Sequence, residues 1–149
     1  MSDGVSIDTS SFAKFARDLR AVAPELKLEL LREMKQAGEI IAEDARGRAN
    51  SFQRKGPGTS RIADSIKVSV SGDAIKVVAN KKKAPEARVI EHGGQGGKFR
   101  HPTFGDRENW VDQDAHPFLR PAMLANREMV VAAVKRAVAK ALEKVHSHA

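Results

Sequence analysis

The hydrophobic repeat of this chain changes period twice. Leu26, Leu30, Met34, Ala37, Ile41 and Ala45 recur three or four residues apart, which is one face of an α-helix. From Ile66 the interval drops to two. Ile66, Val68 and Val70 alternate with Lys67 and Ser69, the pattern of a strand with one face in a core. Leu124, Val131, Val138 and Val145 then recur every seven residues, with Val134 and Ala141 beside them, and the helical period is back. A chain that reads helix, strands, helix belongs to the α+β class. The expected architecture is a small antiparallel sheet of three to four strands, packed by a long N-terminal helix and a long C-terminal amphipathic helix.

Local signals refine this outline. Thr9 or Ser10 is placed to cap a short first helix carrying Phe12, Phe15, Ala16, Leu19 and Val22. Pro24 suits the first turn of the long helix, where its missing N–H would have no partner in any case. That helix fades near Ala49 or Asn50. Ser51–Ser60 contains Gly56-Pro57-Gly58 and reads as a loop. After the first strand, Ser71-Gly72-Asp73 is a tight turn, and Ile75, Val77 and Val78 supply the return strand of a hairpin. Ala87–Glu91 is expected as a third short strand and Trp110–Asp112 as a fourth. The length of 149 residues fits one domain. It is read as 1–149, with 1–9 a flexible arm, 93–115 a long loop and 147–149 a flexible tail.

Composition removes several chemistries. With no Cys there is no disulfide, no thiolate nucleophile and no Cys-based zinc site. No apolar run approaches the roughly 20 residues of a membrane span. The opening residues MSDGVSIDTS lack the basic-then-apolar order of a signal peptide, so a cytoplasmic site of synthesis and use is expected. The formal net charge of +7 is uneven: residues 50–88 carry +6 and 118–149 carry +4, while 89–117 carry −2. A basic surplus of this kind permits contact with nucleic acid or with an acidic protein surface. Its densest point is Lys81-Lys82-Lys83, a solvated turn or a contact for DNA phosphate or an acidic partner.

The stretch Glu91–Ala122 gathers the chemistry-bearing residues. His92, His101 and His116 lie near Glu91, Asp106, Asp112 and Asp114, yet none has a tight metal-ligand spacing. His101 and His116 directly precede prolines, which fits loop geometry. A His–Asn–His nuclease site through His92, Asn109 and His116 lacks a further ligand downstream. Gly93-Gly94-Gln95-Gly96-Gly97 precedes Lys98-Phe99 rather than Lys followed by Ser or Thr and a helix, so the phosphate-loop pattern fails. No Ser occupies a nucleophile elbow. No catalytic residue, cofactor or metal site is assigned. The stretch is instead rich in the aromatic and arginine anchors that interfaces favour. Expected subunit or partner contacts are Glu91, His92, Phe99, Arg100, Phe104, Arg107, Trp110, His116, Phe118 and Arg120.

Four segments taken in order resemble a known family. These are IIAEDARGRA at the end of the long helix, PGTSRIADSIKV into the first strand, RVIEHGG, and the HPFLRPAM step before the last helix. In that order they resemble tail-completion or neck proteins of long-tailed phages, the gene-product-ten-like minor tail proteins, over roughly residues 10–145. Val89 and Ile90 stand where the family often has an aromatic, and Ile62 where Leu is common.

The resemblance implies a structural virion protein, not an enzyme. It would complete the tail and join it to the head as part of a ring at the neck, a hexamer by the symmetry of long tails. The implied partners are copies of itself, the head–tail connector or stopper, and the tail terminator or tail tube proteins. DNA in the channel is a further contact for the basic surface; no membrane is involved. Its place would be the virion neck, after assembly in the host cytoplasm. A tail terminator capping the tube is the alternative within phage tails, and a basic nucleic-acid-binding module the alternative outside them.

Overall fold

A computed structural model describes residues 4–5, 14, 24–51, 59–71, 74–103 and 105–147. The expected first helix with its Phe12 and Phe15, the Gly56-Pro57-Gly58 loop, Gly72-Asp73 and Phe104 lie outside the described residues. In chain order the elements are β1 (Gly4–Val5), α1 (Pro24–Ser51), α2 (Thr59–Ser65), β2 (Ile66–Ser71), β3 (Ala74–Ala79), α3 (Ala87–His92), β4 (Lys98–Thr103), β5 (Asp106–Asp114), α4 (Leu119–Ala125) and α5 (Arg127–Ser147). The α+β class holds, with long helices near both ends.

The 28-residue helix α1 is the spine of the body. Its apolar stripe is the expected one: Leu30, Met34, Ala37, Ile41 and Ala45 are buried, and Ala42 and Ala49 extend the face. Alanine at these sites lets neighbouring elements approach closely. Gly38 takes this furthest, since a Cβ there would lie 3.1 Å from Val68 Cγ1 and 3.3 Å from Ile75 Cγ2. The helix backbone therefore sits directly on the β2–β3 hairpin. The three-stranded sheet has the order β1-β3-β2, all antiparallel. Ile66 faces Ala79, Val68 faces Val77 and Val70 faces Ile75 across the hairpin.

Four expectations need correction. Ala87–Glu91 is not a strand but most of helix α3. Ala87 and Glu91 point inward together, one turn apart, and Arg88 and Val89 point out, which is helical spacing. The long loop 93–115 is largely ordered as a second antiparallel pair, β4–β5, of which the expected strand Trp110–Asp112 is the middle. The expected loop Ser51–Ser60 gives way at Thr59 to helix α2, which runs to Ser65 directly ahead of β2 and buries Ile62, Ala63 and Ser65.

The fourth correction is the face of the last helix. Leu124 and Val131 are 55 % and 45 % exposed, whereas Val130, Ala137 and Ala141 are buried. The helix is broken at Asn126, whose side-chain amide donates to Asp44 Oδ2 (2.7 Å) and to Ala122 O (2.8 Å). The Asn126 carbonyl then accepts from Val130 N–H at 3.0 Å and starts α5. Because Val130–Val134 is an unbroken apolar run, spacing alone could not say which of its residues face inward. Ala137 and Ala141 lie beside Leu30 and Glu33 of α1, so the stripe with the smaller side chains faces the spine. Ion pairs close the open side of that contact: Lys144 to Glu29, and Lys140 to Glu33 at 3.9 Å.

Candidate functional site

Among the described residues, Glu91 is the one charged residue that is buried. It is 4 % exposed at the end of α3. Its Oε2 accepts the backbone N–H of Phe118 (2.7 Å) and of Leu119 (2.9 Å), and its Oε1 accepts that of Arg120 (2.9 Å). These are the unpaired first N–H groups of α4, and no side chain of the helix's own cap residue serves them. A carboxylate is suited to that position by charge as well as by its acceptor count. The Pro117-Phe118-Leu119 step thereby docks onto α3, and Phe118 is fully buried. A cavity of about 20 Å³ beside Glu91 and His92 is the size of a water molecule and too small for a substrate.

Two backbone bonds hold the ends of the intervening segment together. His116 N–H donates to Ile90 O (2.8 Å) and Ala115 N–H to Gly97 O (2.7 Å). Gly93, at φ +64°, makes the sharp exit from α3, and a Cβ there would fall 2.6 Å from the Gly97 carbonyl carbon. From this root β4 and β5 extend as an arm. Among the described residues, none between Gly94 and Asp114 is buried. The six residues of β4 at roughly 3.3 Å each give the arm a length near 20 Å.

The arm has two different faces. Phe99, His101, Val111 and Gln113 share one, with His101 Nε2 3.0 Å from Gln113 Oε1 and the Phe99 and His101 rings 5.8 Å apart. The other face carries Lys98, Arg100, Trp110, Asp112 and Asp114, with Arg100 directly opposite Asp112. There the Arg100 guanidinium lies 5.8 Å from the centre of the Trp110 ring. The indole N–H donates to Arg107 O at 2.7 Å, and the ring is still 45 % exposed. The turn between the strands is braced by Asp106, which accepts from Glu108 N–H (3.0 Å) and Asn109 Nδ2 (2.8 Å). Those two bonds, the backbone one foremost, hold its carboxyl below the usual aspartate value.

The expected contact residues therefore divide. Glu91 and Phe118 are corrected as contact residues: both are sealed inside the chain, one as the tie and the other as core. His92, His116 and the Arg120 side chain are exposed around the root, and Arg100, Arg107 and Trp110 are exposed on the arm. Phe99 is half-buried between the strands. Lys81, Lys82 and Lys83 form an exposed turn after β3, held by Asn80 through its Oδ1 to Lys82 N–H and its carbonyl to Lys83 N–H. Among the described residues no group of His, Asp and Glu is arranged to hold a metal ion, and no helix is long and apolar enough to cross a membrane.

Sequence reading passed over a second surface. On α5, Arg127, Glu128, Val131, Ala132 and Lys135 form an open surface patch. Its signal is the i, i+4, i+8 spacing of Arg127, Val131 and Lys135, which the heptad line through Leu124 and Val131 obscures.

No curated protein and no solved structure matches the chain. A family model does, over residues 13–93, and its description is "Bacteriophage HK97-gp10, putative tail-component". The match runs through α1, the β2–β3 hairpin and α3, and stops at Gly93, where the arm begins. It covers more than half of the chain, which thus belongs to the HK97 gp10-like family of bacteriophage tail components.

Proposed function

We propose that this tail component acts at the neck of the virion, in a ring of identical subunits that completes the tail and joins it to the head. One observation carries the proposal: a two-stranded arm with tryptophan and arginine on an open face, rooted in the body by a buried glutamate. An isolated two-stranded hairpin is marginally stable in water. Here the chain devotes a three-bond tie to its root, and leaves exposed the residue types that dominate binding energy at protein interfaces. Neither catalysis nor small-molecule binding calls for that arrangement.

In this reading the arm contacts neighbouring subunits and the connector or tail-tube ring. The Lys81–Lys83 turn faces DNA in the channel or an acidic ring surface. The host cytoplasm is the place of assembly, and the virion neck the final location.

The test is a phage in which the gene is interrupted, with lysates viewed by electron microscopy. Tails of normal length beside unattached filled heads are expected. Overlong tails would assign the chain to tail termination instead. Joined, infectious particles in normal yield would contradict both. The basic turn is tested separately by salt titration against random-sequence DNA, comparing the chain with its Lys81→Ser/Lys82→Ser/Lys83→Ser variant. A shallower salt dependence is expected for the variant, and equal slopes would remove DNA as the ligand of that turn.

A further inference from the structure

We infer that the outer edge of β5 on one subunit pairs, in parallel, with the outer edge of β2 on a second copy. This rests on the ring reading above and names the strands that make it. Hydrogen-bond alternation decides which backbone groups of each strand face outward. In the arm, Ala115 N–H donates to Gly97 O, in the same register that sets Lys98 against Asp114. Phe99 therefore bonds Gln113, and His101 bonds Val111. Lys98, Arg100 and Pro102 turn their backbone groups to one free edge, and Trp110, Asp112 and Asp114 turn theirs to the other.

These edges are not alike. On the β4 edge Pro102 has no N–H to offer, and the Lys98 carbonyl already accepts Gly94 N–H at 2.6 Å. Such an edge is blunted against pairing. On the β5 edge the outward backbone groups of Trp110, Asp112 and Asp114 have no partner among the described residues. The body sheet ends in a second open edge. Asn80 N–H donates to Ser65 O, so Ile66, Val68 and Val70 turn their backbone groups away from β3. Arg46 caps the Ile66 carbonyl, through Nε at 3.2 Å and Nη2 at 2.8 Å. The outward groups of Val68 and Val70 have no partner among the described residues. Within one chain β2 and β5 belong to separate sheets.

Side chains choose the direction of pairing. Val68 points to α1, where it meets Gly38, so Lys67 and Ser69 point the opposite way. Antiparallel pairing would set Asp112 directly beside Val68 or Val70, a carboxylate on the apolar side. Parallel pairing sets an outward residue against an inward one. Val68 then faces Val111, Lys67 faces the Trp110 ring, and Ser69 faces Asp112 with Lys76 next to it on β3. The ladder in this register runs Val68 N–H to Trp110 O, Asp112 N–H to Val68 O, Val70 N–H to Asp112 O and Asp114 N–H to Val70 O. Every outward group of Val68, Val70 and Asp112 is used. Strand addition through two different edges is heterologous, and it closes into a ring when the rotation per subunit divides the circle.

The chain has no cysteine, so introduced thiols report this contact alone. Paired strands lie about 4.8 Å apart, within the Cα separation that a disulfide spans. An equimolar mixture of Ser69→Cys and Asp112→Cys chains, oxidised after association, is expected to form the mixed disulfide. A mixture of Ser69→Cys and Val111→Cys chains, the antiparallel register, is expected not to. Association itself is followed by sedimentation through a concentration series. Asp112→Pro and Val70→Pro each remove one outward N–H and should weaken it by about tenfold or more. That N–H has no partner in the single chain, and Pro102 already occupies such a position, so circular dichroism and melting close to the parent are expected of both.

A Ser69–Val111 link in place of the Ser69–Asp112 link, or undiminished association of both proline variants, would overturn the inference while leaving the ring in place. A chain that stays monomeric at every concentration would overturn it as well. The neck assignment would then be decided independently by the unattached heads and tails of the interrupted-gene phage.

Discussion

Glu91 shows how far one side chain organises this molecule. It carries no chemistry of its own, yet three N–H groups from a helix 27 to 29 residues away converge on it. Glu91→Ala leaves at least two buried donors without acceptors, each worth roughly 1–3 kcal/mol, so a loss on the order of 3 kcal/mol is expected. For a chain of this size that corresponds to a fall in melting temperature of about 6–12 °C. Glu91→Gln keeps one oxygen and turns an amide toward the remaining donor, so an intermediate loss is expected. Thermal and urea unfolding measure both, and a Glu91→Ala chain within about 0.5 kcal/mol of the parent would refute the tie. Gly93→Ala is expected to be as damaging, because φ +64° and the Gly97 carbonyl both oppose a side chain. The sequence marked Glu91 and Phe118 as important but assigned them to a partner. Nothing in spacing distinguishes a carboxylate that meets another subunit from one that meets a helix N-terminus of its own chain.

At the level of elements, what could be read depended on how each segment is buried. The spine α1 and the β2–β3 hairpin were legible because each buries a single face, which leaves a regular period. Helix α3 and the break at Asn126 were not, since a six-residue helix is shorter than two turns and a cap is set by contacts such as Asp44, distant in sequence. The arm hid for another reason: both its faces stay largely in water, and its strands carry no apolar alternation. This gives a prediction for the arm as a unit. Excising residues 95–114, so that Gly94 precedes Ala115, removes no buried residue among those described. The melting temperature is therefore expected to stay within a few degrees of the parent chain. A collapse in calorimetry would mean that the arm belongs to the core after all. The α1–α5 contact has a pH signature. The Lys144 ammonium, hydrogen-bonded to the Glu29 carboxylate, holds that carboxyl below its ordinary value against a smaller opposing effect of burial. A depressed carboxyl stabilises the fold above its unfolded value and ceases to do so as pH falls through the folded one. Melting scans are thus expected to lose stability below about pH 4.5, and Lys144→Gln to flatten that loss. An unaltered acid profile in the variant would show that the pair contributes nothing.

As a whole, the molecule separates a packed body from an exposed arm. The family match covers the body up to Gly93 and ends where the arm departs. The apolar core, the glutamate tie and the inter-helix ion pairs lie in the body. The exposed tryptophan and the arginines beside it lie on the arm. In the proposed ring, such a division would let the arm meet neighbouring subunits without disturbing the body that carries it. The most direct measurement places the chain lacking residues 95–114 in the phage and counts particles by electron microscopy and plaque titre. The excised chain is expected to be present and folded while heads and tails accumulate unjoined, with titre restored by the intact chain supplied in trans. Joined and infectious particles carrying the armless chain would contradict the account.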